Sequence, residues 1–136
     1  MHQLIIDSRD RPNYPTSAAN SFTLNLTPAL ESCRSASLVF ASIASASDSD
    51  ASYWLLTIGG FGADSRGADI SNSQSGFIVP VLAPAGYRTI YNEFNNYSQQ
   101  IVGPNTALSQ IQVRPHLPDG STAPEGGEWF AILRLD

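Results

Sequence analysis

Lysine is absent from this chain. All seven basic residues are arginine, whose planar fork suits paired bonds to carboxylates and buried or interfacial ion pairs. Charge of either sign is scarce: 14 % of residues are charged, against about 25 % in ordinary soluble domains. The surface must therefore be built mostly from Ser, Thr, Asn, Gln and Gly. Low charge suits faces that end against neighbours, because charge is depleted at interface cores. The net charge of −5 disfavours nucleic acid and acidic membranes as partners. Cys33 is alone, which excludes an internal disulfide and any cysteine-based zinc site. His2 and His116 are the only imidazoles. Apolar runs fall far short of the roughly 20 residues that cross a bilayer, so no membrane insertion is expected. The start of the chain lacks the basic and then apolar pattern of a secretion signal.

What is present is a series of short extended segments. With 136 residues and 42 % apolar content, one domain over 1–136 can bury a core without metal or disulfide staples. Residues 2–7 read as a strand around Leu4-Ile5-Ile6, and 8–20 read as a loop held by Pro12 and Pro15. Residues 21–27 alternate strictly, with Phe22, Leu24 and Leu26 on one face, and Pro28 is expected to stop that strand. Residues 36–44 carry apolar groups on both faces, which predicts cover on both sides. Further strands are expected at 53–58, 76–82, 97–102, 108–114 and 129–135. Pro80 makes the strand at 76–82 an edge or a bulge. Residues 87–94 fit a strand or one helical turn. No long helix and no internal repeat is visible. About eight strands separated by turn signals predict an all-β fold, a single jelly-roll: an eight-stranded antiparallel sandwich. A closed eight-stranded barrel is the rival, and the uneven loops at 8–20 and 59–74 favour the sandwich.

Two stretches stand out as candidate sites. Asp7-Ser8-Arg9-Asp10-Arg11 packs four charges of both signs between an apolar strand and two prolines. Extended geometry would put Asp7, Arg9 and Arg11 on one side, with Ser8 and Asp10 on the other. Two readings stay open: a clamp inside the chain that pins the Pro-rich loop, and a clamp between subunits. Either way, Arg9 and Arg11 are expected to make forked contacts to carboxylate or backbone oxygens. The second stretch gathers Tyr87, Tyr91, Phe94 and Tyr97 with Asn92, Asn95 and Asn96. If Tyr87, Tyr91 and Phe94 are exposed together, they form a second interface; if not, they pack the core.

Other candidates read as bland. Asp48 and Asp50, like Asp64 and Asp69, read as solvated loop acids rather than a cation site. Asn25-Leu26-Thr27 and Asn96-Tyr97-Ser98 match the glycosylation pattern, which means little without a secretion signal. Cys33 reads as buried or half-buried, and His116, between prolines, as an exposed loop imidazole. Gly59-Gly60-Phe61-Gly62 does not match a phosphate loop: the spacing fails and no lysine is available. No nucleophile and base are visibly paired, so neither enzymatic activity nor a cofactor nor a metal is expected.

The first 45 residues resemble the start of many minor capsid proteins of large DNA viruses and membrane-containing phages. The residues carrying this are Ile5-Ile6-Asp7-Ser8-Arg9-Asp10-Arg11, Tyr14-Pro15, the Phe22-led strand, and Ser37-Leu38-Val39-Phe40-Ala41-Ser42. The segments 109–114, 118–120 and 129–135 look like the same class. The resemblance implies a single jelly-roll protein of the virion capsid, most often a penton at the vertex. It implies a homopentamer beside a double jelly-roll major capsid protein, at the vertices where a spike protein attaches; on the between-subunit reading of the clamp, Asp7, Arg9, Asp10 and Arg11 are the expected interface. A spike or glycan-binding jelly-roll domain is the alternative.

Overall fold

A computed structural model of the chain describes residues 2–44, 53–61, 76–81, 87–94, 99–117 and 128–136. Its strands are β1 (His2–Asp7), β2 (Phe22–Leu30), β3 (Ser35–Ala44), β4 (Tyr53–Ile58), β5 (Phe77–Pro80), β6 (Arg88–Asn92), β7 (Gln100–Val102), β8 (Leu108–His116) and β9 (Phe130–Leu135). A 3-10 turn, Ser8–Asp10, follows β1. The first sheet runs β1-β9-β3-β6, with β7 also on β3; the second runs β2-β8-β4-β5. All pairings are antiparallel.

This strand order is that of a jelly roll. The pairs β1·β9, β2·β8, β3·β6 and β4·β5 describe one long hairpin whose arms alternate between two sheets. The pairs β3·β9 and β4·β8 then wrap that hairpin on itself. Side chains alternate across each strand. One set, including Ile6, Leu24, Leu38, Trp54, Phe77, Tyr91, Val113 and Leu133, meets between the sheets as a single buried cluster. The open sandwich is thus the architecture, and 87–94 supplies a strand.

Three local expectations are corrected. Pro28 does not end β2. The register slips between Asn25 and Leu30, and pairing with β8 resumes at Leu30↔Leu108. Because β2 is an edge, the proline sits in the bulge without breaking a ladder. Residues 36–44 owe their two apolar faces to a register shift between Leu38 and Phe40. The shift reverses the phase, so Ala36 and Leu38, then Ala41 and Ile43, all point inward.

The third correction lengthens the strand expected at 108–114, which continues through Pro115 to His116. Gly59 N donates to Gln112 O, so Gln112, Arg114 and His116 bond towards β4, while Val113 and Pro115 face β2. β2 has already ended at Phe22, opposite Val113, so Pro115 lacks an amide only where no strand needs it. Pro80 lies on β5, an edge, as expected.

Candidate assembly surface

The charged stretch after β1 folds as a turn, and that overturns the extended alternation expected for it. Asp7 caps the turn: its Oδ1 accepts from Arg9 N at 2.9 Å. The turn brings Ser8 and Arg11 inward and leaves Arg9 and Asp10 exposed. Arg9 forks onto the Asp7 carboxylate, Nε to Oδ1 at 3.1 Å and Nη2 to Oδ2 at 2.7 Å. That guanidinium holds the Asp7 carboxyl below its usual range.

Arg11 is buried and makes the larger set of bonds. Its Nη1 donates to Ser8 O at 2.5 Å and Glu128 Oε2 at 2.6 Å. Its Nη2 donates to Glu128 Oε1 at 3.1 Å and its Nε to Ser17 O at 2.9 Å. The guanidinium also lies over the Tyr14 ring, 5.1 Å from its centroid. Both arginines therefore fork as expected. Ser8 Oγ donates to Glu128 Oε2 at 2.5 Å and accepts from Trp129 N at 2.9 Å. Trp129 Nε1 donates to Ala19 O at 2.8 Å. The network pins the loop of 11–19 to the start of β9. Arg11, then Ser8, holds the Glu128 carboxyl below its usual range, although burial opposes them. Sequence reasoning missed Glu128, and the available signal was its place just ahead of the last apolar strand, antiparallel to the first.

The aromatic cluster is split by the pleat. Tyr91 faces the core opposite Ala41 and is 1 % exposed, so it is no part of a surface. Tyr87 and Phe94, at 67 % and 88 %, stay outside. Asn95, Asn96 and Tyr97 lie outside the described residues.

The pleat instead builds a different apolar surface, on the outer face of the first sheet. Ile5 lies opposite Ile132, which lies opposite Phe40. One step along, Phe130 lies opposite Ser42, which lies opposite Ile90. Phe40 stacks on Phe130 with centroids 5.5 Å apart. Ile5 and Ile90 remain 60 % and 58 % exposed. Ion pairs and forks border this patch. Arg134 Nη1 meets Glu93 Oε1 at 3.1 Å, and Arg88 bonds Ser42 Oγ, Ser42 O and Glu128 O. The outer face of the second sheet is polar along β2 and β8, where Thr23 lies opposite Gln112 and Asn25 accepts from Gln110 at 3.1 Å, and carries Leu55 and Ile78 along β4 and β5. Sequence reasoning missed this asymmetry because the β3 bulge hid which residues share a face.

His116 is buried rather than exposed in a loop, since β8 carries it beside Leu55 of β4. Its Nδ1 lies 3.2 Å from Leu117 O, which only an N–H can satisfy, so Nε2 accepts from Thr57 Oγ1 at 2.7 Å. Burial pushes its pKa down. Cys33 is half-buried. Burial, then the Asp136 carboxylate, pushes its thiol up, away from the thiolate a nucleophile needs. Asp48, Asp50, Asp64 and Asp69 lie outside the described residues. Among the described residues, no group of three or more His, Cys, Asp or Glu side chains gathers to hold a metal. No protein-family model matches this chain, and no curated protein matches it.

Proposed function

We propose that the chain is a structural protein of a viral capsid, a penton at the vertex of the virion. It assembles as a homopentamer, contacts the major capsid protein and seats a spike. Its mechanism is burial and shape rather than catalysis. The observation that carries this reading is the unlike pair of sheet faces: the outer face of the first sheet is apolar around Ile5, Phe40, Ile90 and Ile132, and that of the second is lined by amides and hydroxyls along β2 and β8. A sheet face of that kind suits permanent contact with another subunit. A closed ring also needs two different surfaces on each copy, which two unlike faces supply. The N-terminal resemblance points the same way. The test is the mass of the assembled chain together with its location in a particle map. Five copies at a vertex are expected; a persistent monomer without capsid contacts overturns the reading.

A glycan-binding spike domain is the second reading, favoured by the exposed rings of Tyr87 and Phe94. A glycan-binding screen separates the two, because the vertex role predicts no sugar affinity.

A further inference from the structure

We infer that β1 pairs edge to edge with β1 of a second copy, antiparallel about Ile5. The β1 edge leaves a defined set of backbone groups open. Ser8 N donates to Trp129 O, and Asp136 N donates away from β1, to Ser35 O of β3. By the antiparallel alternation, His2, Leu4 and Ile6 bond to β9. The amides and carbonyls of Gln3, Ile5 and Asp7 therefore face outward, and among the described residues no strand covers them.

The other edges are obstructed. β2 carries Pro28 inside its register shift. β5 carries Pro80, and the Gln99 side chain occupies its ladder: Ile78 N donates to Gln99 Oε1 at 2.6 Å, and Gln99 Nε2 donates to Ile78 O at 2.5 Å. The fourth edge is divided between two short strands, β6 and β7, that both pair with β3. Natural sheets block their edges with such devices. β1 has no proline, no bulge and an outward Ile5.

The occupant follows from the edge's own sequence. Only residues with open groups can bond each other, so Gln3, Ile5 and Asp7 of one copy must meet the same set in the next. Antiparallel pairing centred on Ile5 uses all of them. Ile5 faces the partner's Ile5, each Gln3 amide faces an Asp7 carboxylate, and Leu4 faces Ile6 on the inner side. No like charges are opposed. Shifting the register by one bonding step sets Ile5 against Gln3 or Asp7 and loses a pair. The contact joins one surface to itself, so it is separate from any ring and does not rest on the vertex reading.

The test uses the full chain in solution, with sedimentation velocity over a range of concentrations and amide hydrogen exchange. An even number of copies is expected, with the Gln3, Ile5 and Asp7 amides protected in the assembly and exchanging freely on dilution. Gln3→Asp opposes carboxylates at both ends and weakens association about tenfold. Gln3→Lys strengthens it, and the gain fades with salt. Ile5→Pro removes an edge amide without touching a β9 bond, and it abolishes the β1-paired species at an unchanged unfolding midpoint. Should that variant fail to fold, the Gln3 pair decides alone. Free exchange at Gln3, Ile5 and Asp7 at every concentration overturns the inference, as does association indifferent to both Gln3 variants. Five copies with freely exchanging β1 amides overturn this contact and leave the vertex reading standing. A β1-paired dimer that never enters a capsid does the reverse.

Discussion

Arg9 and Arg11 look interchangeable in the sequence, yet the turn at Ser8–Asp10 gives them different surroundings. Arg9 lies in solvent with a single carboxylate partner, where screening and side-chain entropy consume most of the attraction. Arg11 is 3 % exposed at its side chain and holds Glu128 together with two backbone carbonyls. Removing it strands those acceptors. Arg11→Ala is expected to cost about 2–3 kcal/mol in urea unfolding, below the roughly 3–5 of a fully buried pair because Glu128 is partly solvated. Arg9→Ala leaves the unfolding midpoint where it was. Equal losses in the two variants would contradict this division.

His116 makes a second prediction at this scale. Its pKa in the fold lies below the ordinary 6.5, chiefly through burial. The unfolded chain therefore takes up the proton first as pH falls. The stabilisation is fully present above 6.5 and is lost as pH falls through 6.5 towards the folded value. Unfolding free energy should drop between pH 7.5 and 5.5, and His116→Gln should flatten that slope. Glu128 and Asp7 are depressed as well, so a further loss follows below their ordinary values of 4.5 and 3.8.

At the level of elements, what was legible depended on whether periodicity survived intact. The alternation of Phe22 and Leu24 with Thr23 and Asn25 marked β2 correctly, because one face is buried and the other wet. The bulges in β2 and β3 were not legible, since a bulge is fixed by the partner's register and not by the strand's own pattern. The extension of β8 through Pro115 depended on where β2 ends, a fact about another element. Close approach of the connections was equally hidden. A Cβ on Gly103 would lie 2.5 Å from both the carbonyl oxygen and Sγ of Cys33, whereas one on Gly59 meets nothing nearer than 3.5 Å. Gly103→Ala must therefore push the β7–β8 connection off the β2–β3 connection. It is expected to cost about 1–3 kcal/mol by thermal unfolding, with Gly59→Ala near neutral.

For the whole molecule, the jelly-roll architecture was readable because strand number, turn spacing and the lack of a long helical period in the sequence all limit the choices. The clamp was half readable: the arginines declared themselves, but Glu128 became visible only when β1 and β9 were paired. The apolar outer face belongs to no single strand; it arises from β1, β9, β3 and β6 side by side. Its role in assembly is open to a direct comparison. Ile90→Lys and Phe94→Lys should each abolish the five-copy species in sedimentation while leaving circular dichroism and the unfolding midpoint unchanged. Gln112→Lys, on the polar β2–β8 face of the other sheet, should leave both the assembly and the fold intact. Loss of assembly in all three would point to non-specific charge repulsion instead.

The strand order also governs when this chain can begin to fold. Among β1, β2, β3 and β4, no two pair with each other. Their inner partners, β8 and β9, are the last strands to be made. During translation β1 to β4 leave the ribosome before any strand they pair with; β3 and β4 gain edge partners in β6, β7 and β5, while β1 and β2 wait unpaired for β9 and β8. Arrival of β8 and β9 then supplies the centre of both sheets almost at once. Nascent-chain maturation is consequently close to all-or-none, and premature termination ahead of β8 releases seven strands that lack the centre of both sheets rather than a partial domain.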